Sequence, residues 1–175
     1  MNSIVYSNVL GFSLLVIFQV LLLNHINFFG DINPYAYILF ILLFPIKNTR
    51  IILLLLSFLM GLTIDIFSDS GGIHAAACVS IAYARPIFLK FCFGTIYEYQ
   101  TIKFNNVEFG SKLLYISLLT FVHHLVLFSL EIFNISKVIL NIQKTLFSII
   151  FTIILCLLLT VIFFKSIKLW NFNFF

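Results

Sequence analysis

Six runs of apolar residues dominate this chain and limit what it can fold into. They cover Ile4–Leu23, Tyr35–Ile46, Ile51–Phe67, Ile73–Phe93, Leu113–Ile132 and Leu146–Phe164. A transmembrane helix needs about 20 apolar residues, and five of the runs come close to that length. Only 9% of the residues are charged, against about 25% in soluble domains. The pattern therefore predicts an all-α membrane protein, a six-transmembrane-helix bundle forming a single integral membrane domain over residues 1–175.

The second apolar run is too short to cross a bilayer by itself. As a helix its residues, 35–46, cover roughly 18 Å, whereas the hydrocarbon core is about 30 Å thick. Three explanations stay open: Asn33 and Pro34 lie below the membrane surface, the helix is partly surrounded by its neighbours, or it is re-entrant. We keep this run as a span because the charges on both sides of it then follow a consistent pattern.

The charge distribution supports six crossings with both termini in the cytoplasm. In that topology eight of the ten basic residues are cytoplasmic, namely Lys47, Arg50, Arg85, Lys90, Lys103, Lys112, Lys165 and Lys168. Only Lys137 and Lys144 lie outside. Cytoplasmic loops of membrane proteins carry an excess of Lys and Arg. With five crossings Lys47 and Arg50 would lie outside, so the same rule favours the short second run as a span.

The segment between the third and fourth spans gathers polar residues in an otherwise apolar chain. Asp65 lies near the outer end of the third span, and His74 opens the fourth. One interpretation is an outer polar site in which Asp65 pairs with His74 or with a ligand. The other is a tight hairpin in which Asp69 or Ser70 caps the fourth helix and Gly72 forms the turn. Ionisable groups at membrane depth are costly, which favours a defined role for Asp65.

Arg85 and Pro86 interrupt the fourth span. Proline disfavours the helical conformation of the residue before it and removes a backbone donor. The sequence therefore predicts that the membrane-embedded part ends near Tyr83 and that Arg85 and Lys90 reach the lipid headgroups. Tyr35, Tyr37 and Tyr115 are expected at the headgroup level as well, where amphipathic rings anchor helix ends.

The fifth span carries a second polar group, formed by His123, His124 and Glu131. His124 and Glu131 are seven residues apart, so they lie on nearly the same helix face and about 10 Å apart along the axis. The stripe fits hydrogen bonds that hold helices together or, less well, a proton relay that includes Asp65. Two adjacent histidines and a distant glutamate do not match a metal-binding spacing, and no cofactor motif is present.

Three segments of the chain carry a resemblance to a known family. They are INPYAYILFILLFP at 32–45, LSFLMGLTIDIFSDSGGIHAAACVSIAYARP at 56–86 and HHLVLFSLE at 123–131. Together they cover the second to fifth spans. The chain resembles the MreD family, the rod shape-determining membrane proteins of bacteria. The family pattern falls here on Gly61, Asp65, Gly72, His74 and Ala75, although a proline that is frequent in the family's turn is replaced by Asp69-Ser70-Gly71.

The resemblance implies a non-enzymatic scaffold in the bacterial cytoplasmic membrane that serves cell elongation and peptidoglycan synthesis. Such a protein binds an MreC-type membrane protein and, through it, the actin-like MreB, the glycosyltransferase RodA and a penicillin-binding transpeptidase. It also implies a fold like that of the substrate-binding components of ECF-type vitamin transporters. On this interpretation Asp65, His74, Gly61 and Gly72 form a polar clasp that is structural or shapes the surface for the partner.

Two other functions remain as alternatives. The first is a small-molecule-binding subunit of a membrane transporter, with the region of Asp65 and His74 as its outer site. The second, less favoured, is an intramembrane enzyme or proton relay that uses His124, Glu131 and Asp65. A transporter requires polar residues that converge on a cavity, whereas a scaffold uses them in helix contacts. The net charge of +4 does not indicate nucleic-acid binding. The basic residues lie in short clusters between apolar runs, where they are expected to set the orientation of the chain in the membrane.

Overall fold

The computed structural model of the chain describes residues 2–25, 33–45, 50–94, 107–131 and 138–170. Every regular element within these ranges is a helix. In chain order they are α1 (Asn2–Leu21), which a 3-10 turn (Leu23–His25) extends, α2 (Ile38–Leu43), α3 (Arg50–Ser68), α4 (Ile73–Phe93), α5 (Phe109–Glu131) and α6 (Val138–Trp170). Lys47, Lys103 and Lys137, which enter the charge count, lie outside the described residues.

Five helices are long and apolar enough to cross a membrane. They are α1 from Asn8 onward together with its 3-10 turn, α3, α4, α5 and the part of α6 from Thr145 to Ile162. Between 22% and 39% of each span is buried inside the protein, so most of their surface is apolar and faces outward. The prediction of an all-α protein with several helices that could cross a membrane is therefore confirmed for the described part of the chain.

The second predicted span differs from the other five. Helix α2 has only six residues, about 9 Å of helix, instead of the predicted stretch from residue 35 to residue 46. All six side chains are buried, and α2 contacts α1, α4, α5 and α6. A helix that is apolar on every side is stable only when it is surrounded. Of the three explanations for its short length, enclosure by neighbouring helices is the one the structure shows.

Helices α1 and α3 run in the same direction. Asn24, just beyond the end of α1, donates from Nδ2 to Oγ of Ser68, the last residue of α3, over 3.1 Å. Because their C-terminal ends meet, the chain between them must return to the side from which α1 started. Residues 33–45 make this return next to α4: Tyr37 contacts His74, and Phe44 contacts Arg85, about 16 Å further along that helix. The chain therefore traverses the bundle between α1 and α3, although α2 alone is too short to do so.

Helix α4 does not end at the arginine–proline pair. It continues through Pro86 to Phe93. Arg85 is only 3% exposed and points into the bundle, so the prediction that it reaches the headgroups is wrong. Tyr83, in contrast, is 74% exposed on the surface of the bundle. The physical reason for the difference is that Arg85 finds buried acceptors at the end of α2.

Candidate functional site

Asp65 connects the end of α3 to the beginning of α4. Its side chain is buried at 5% exposure. Oδ1 accepts from the backbone N–H of His74 and Oδ2 from that of Ala75, each over 2.9 Å, and the Ser70 hydroxyl donates to Oδ1 over 2.5 Å. The first N–H groups of a helix lack partners within the helix, and the helix dipole favours negative charge there. Asp65 thus caps α4 from the preceding helix.

This cap differs from the one that the sequence predicts. The N-cap residue of α4 is Gly72, with φ of 100° and no side-chain hydrogen bond. Ser70 contributes only through Asp65, and Asp69 is exposed with φ of 50°. Asp65 and His74 do meet, but the carboxylate binds the backbone of His74 and not its imidazole. The sequence places the cap nearby in the turn, whereas the hairpin geometry brings a more distant carboxylate to the helix end.

Gly61 allows α3 to approach α4 at this cap. A β-carbon on Gly61 would lie 2.6 Å from the amide nitrogen of Ala75 and 2.6 Å from the carbonyl oxygen of His74, and closer still to the Cα atom of Ala75. These atoms belong to the backbone, so a side-chain rotation cannot relieve the contact. Only glycine at position 61 brings Asp65, one helical turn later, within reach of the α4 N-terminus.

Replacing Gly61 by alanine is therefore expected to separate the two helices. We expect the free energy of unfolding to fall by about 1–3 kcal/mol, as for other overpacked sites. Gly11→Ala is the matched control, because nothing lies within 4 Å of a β-carbon at Gly11 in α1. That change should be neutral or stabilise by about 0.5–1 kcal/mol. Unfolding titrations in mixed micelles measure both, and equal effects would contradict the close approach.

The imidazole of His74 points away from Asp65 towards a buried tyrosine. Its Nδ1 lies 2.7 Å from the hydroxyl oxygen of Tyr37, and Nε2 of His123 lies 3.0 Å from the same oxygen. Tyr37 and His123 are fully buried, and His74 is 7% exposed. One phenol thus bridges α4 and α5 from the segment that leads into α2.

His124 and Tyr35 extend this group. His124 Nδ1 donates to the carbonyl oxygen of Thr120 over 2.9 Å, which leaves Nε2 as an acceptor that faces α6. The ring of Tyr35 packs against those of His74, His123 and His124, with centroids 5.4–5.9 Å apart. We refer to Tyr35, Tyr37, His74, His123 and His124 as the histidine–tyrosine cluster. Tyr37 is thus a core residue and not a headgroup anchor, and Tyr35 is partly buried and packs against the core.

Residues 33–37 are non-helical and are here named the lead-in segment. Their backbone N–H and carbonyl groups form hydrogen bonds with side chains of α1 and α6. Gln19 accepts from the N–H of Ala36 over 2.8 Å and donates to the carbonyl of Pro34 over 3.2 Å. Thr152 accepts from the N–H of Tyr35, and Ser148 donates to the carbonyl of Asn33. Irregular backbone at membrane depth is tolerated only where protein satisfies its hydrogen bonds. These side chains meet that requirement.

Arg85 satisfies backbone carbonyl groups at the C-terminal end of α2. Its guanidinium donates to the carbonyl oxygens of Leu42 and Phe44 and, over 3.0 Å, to the hydroxyl of Tyr115. That hydroxyl in turn donates to the carbonyl of Leu42 over 3.1 Å. A cation is favourable at a helix C-terminus, where carbonyls lack partners. Tyr115 is completely buried, so it is a structural group in the bundle and not a headgroup anchor.

The polar stripe predicted on α5 is only partly buried. His123 and His124 are fully buried, whereas Glu131 is the exposed last residue of α5. Sequence reasoning missed Tyr35, Tyr37 and Arg85 as members of the buried network. Two signals were present: Tyr35 follows Asn33-Pro34 directly with Tyr37 two residues later, and the hydroxyls of Ser148 and Thr152 are four residues apart on one face of α6.

The buried polar side chains described above form hydrogen bonds and place charges at helix ends. Their geometry is that of groups that hold helices together. Within the described ranges, no group of three or more His, Cys, Asp or Glu side chains could hold a metal ion. A half-open cavity of about 430 Å³ lies along α1 beside Leu159 of α6, but apolar side chains line it, among them Phe18 of α1. Polar side chains and this cavity therefore occupy different parts of the bundle.

Comparison with protein-family models, with curated proteins and with solved structures gives no match. The likeness to MreD proteins therefore rests on the sequence segments alone and stays a prediction.

Proposed function

We propose that this chain is a non-enzymatic scaffold of the bacterial cytoplasmic membrane that binds an MreC-type protein in the cell-elongation machinery. The proposal starts from the resemblance over residues 32–45, 56–86 and 123–131. The residues that carry the resemblance in the hairpin, among them Gly61, Asp65 and His74, are the ones that join α3 to α4. The family pattern thus falls on residues that hold two helices together, which fits a scaffold that acts through its fold.

The observation that carries the proposal is the use of the buried polar side chains. Asp65 binds the N-terminus of α4, Arg85 binds the C-terminus of α2, and Gln19 binds the lead-in segment. Each of these groups directs its hydrogen bonds at other groups of the protein, chiefly at backbone N–H and carbonyl groups. A transport site would instead direct such groups into a cavity for a substrate. The network therefore favours a rigid bundle that presents its outer surface to a membrane partner.

The proposal includes a topology. Counting residues 33–45 as a crossing gives six passes, which is the helix number of the substrate-binding components of ECF-type vitamin transporters. The basic residues then place both termini in the cytoplasm. On this topology the Asp65 cap faces the outer side of the membrane, and Arg85 lies towards the cytoplasmic side.

One feature favours the alternative of a small-molecule-binding transporter subunit. Transporter binding sites often lie at the ends of discontinuous helices near the membrane midplane, and α2 is a short helix enclosed in the bundle. Here both ends of α2 are occupied by Gln19, Arg85 and their neighbours. A substrate would have to displace these protein groups, so we favour the scaffold.

Affinity purification of the tagged full chain from bacterial membranes in a mild detergent tests the proposal. We expect an MreC-type protein to copurify in roughly equal amount, as measured by mass spectrometry. The control is the same preparation with an unrelated tagged membrane protein. Absence of an MreC-type partner, together with a small molecule that stays bound in native mass spectrometry, would contradict the scaffold and support the transporter subunit.

A further inference from the structure

Tyr37 is hydrogen-bonded to two histidines from different helices. Its hydroxyl oxygen lies 2.7 Å from Nδ1 of His74 in α4 and 3.0 Å from Nε2 of His123 in α5. A tyrosine hydroxyl has one proton to donate, and a neutral imidazole has one N–H and one acceptor nitrogen. One histidine must therefore donate to Tyr37, while the other accepts from it.

The surroundings of His123 decide which histidine is the donor. Its Nδ1 is buried and has no hydrogen-bond partner among the described residues. A buried N–H without an acceptor is a costly arrangement, so the proton of His123 belongs on Nε2, from which it donates to Tyr37. The Tyr37 hydroxyl then donates to Nδ1 of His74, and the proton of His74 is on Nε2.

This arrangement has no place for an additional proton on His74. Protonated His74 would carry an N–H on Nδ1, directly opposite the O–H of Tyr37. Turning that O–H towards His123 would require the proton of His123 to move to Nδ1, where no acceptor is present. Every alternative leaves one buried donor unpaired, so protonation of His74 breaks a hydrogen bond of the bridge.

His74 is the group through which a proton can reach the bridge. It lies in the first turn of α4 and is 7% exposed, whereas Tyr37 and His123 are fully buried. The other titratable groups around it are Asp65 on α3, Cys78 on α4, Tyr35 in the lead-in segment, and His124 and Glu131 on α5.

These neighbours do not duplicate the effect. Asp65 is bound to the α4 N-terminus and is present in all variants tested below. A proton added to His124 would lie on Nε2, where the hydroxyls of Ser148 and Thr152 are 3.3 and 3.4 Å away and can accept it. Among the three histidines of the cluster, His74 and His123 are the two whose protonation conflicts with their present partners.

We propose that Tyr37, His74 and His123 form a pH-sensitive latch, in which protonation of His74 opens the bridge and loosens the lead-in segment and α2 from α4 and α5. The latch is closed at neutral pH and opens as the pH falls. It goes beyond the scaffold proposal and does not depend on it.

Hydrogen–deuterium exchange of the full chain in lipid nanodiscs tests the latch. In the wild type, exchange of residues 33–43, corrected for its intrinsic pH dependence, is expected to rise at least about threefold between about pH 7.5 and about pH 4. The range extends this low because burial disfavours the charged imidazole of His74, so its protonation requires a lower pH than that of an exposed histidine. In His74→Gln it should stay constant, because a glutamine amide can bond to Tyr37 without titrating. His25→Gln, at the exposed end of the 3-10 turn, should behave as the wild type.

A second variant keeps the test decisive if glutamine at position 74 disturbs the fold. Tyr37→Phe removes the bridge at all pH values, so its exchange should be high at both pH values and nearly independent of pH. Equal pH dependence in the wild type, His74→Gln and Tyr37→Phe would overturn the latch. So would constant exchange in the wild type.

Discussion

Replacing Asp65 by alanine is expected to lower the free energy of unfolding by about 2–4 kcal/mol. The substitution removes the acceptor for the N–H groups of His74 and Ala75 and for the hydroxyl of Ser70. The hydrogen bonds of the two N–H groups are buried, so removal of the carboxylate leaves both donors without their acceptor and their desolvation uncompensated. Loss of the charge also removes a favourable interaction with the α4 dipole.

Asp69→Asn is the matched control for Asp65→Ala. Asp69 lies four residues later, is exposed and has a positive φ that asparagine tolerates. Its substitution should change stability by no more than about 0.5 kcal/mol. Reversible unfolding in mixed micelles, followed by circular dichroism, measures both variants. A cost for Asp65→Ala as small as that of the control would show that the cap does not hold the hairpin together.

Replacing Arg85 by methionine is expected to have an effect of similar size, about 2–4 kcal/mol. Methionine keeps the apolar stem in place but removes the donors to the carbonyl oxygens of Leu42 and Phe44. Tyr115 still donates to Leu42, so the unpaired carbonyl is chiefly that of Phe44. The C-terminal end of α2 then lacks the cation that stabilises it.

Arg50→Met provides the comparison, because it makes the same substitution at an exposed arginine. Arg50 is the exposed first residue of α3, and its substitution should cost about 0.5 kcal/mol or less. Beyond the stability difference, limited proteolysis near residue 45, by a protease that does not cleave at basic residues, should become faster in Arg85→Met than in Arg50→Met, because the anchored end of α2 is released. Equal stability and equal proteolysis in the two variants would rule out Arg85 as the anchor.

The sequence predicts α3 and α4 well because an apolar run of about membrane-spanning length marks each of them. The fourth span, Ile73–Phe93, has the bounds that the apolar run predicts, and α3 differs from its predicted span by one residue at each end. Composition and run length suffice in these cases, since most of each span is apolar and lies on the outside of the bundle. The same information does not predict the structure of α2. A short apolar run has the same sequence pattern in a transmembrane helix, a re-entrant segment and a helix enclosed by others.

The partners of the buried polar groups could be predicted only in part. Asp65 stands out in its apolar run, and Gly61 stands out one turn before it. Arg85 precedes a proline, a pattern that ordinarily marks a helix end, and its acceptors lie about 40 residues away in the chain. Those long-range contacts depend on how helices pack, which local sequence patterns do not encode. The functional assignment rests on family resemblance, whereas the roles of these side chains follow from geometry.

The path of residues 33–45 through the bundle is the central claim, because the caps, the histidine–tyrosine cluster and the topology all depend on it. Cysteine crosslinking with a short thiol reagent tests it most directly. Asn24→Cys paired with Ser68→Cys should crosslink efficiently, since the two native side chains are hydrogen-bonded over 3.1 Å.

The matched pair combines Asn24→Cys with Arg50→Cys, at the opposite end of α3. Because α3 is about 28 Å long, this second pair should not react. If Asn24→Cys instead crosslinks to Arg50→Cys and not to Ser68→Cys, then α1 and α3 are antiparallel, residues 33–45 do not traverse the bundle, and the account is wrong.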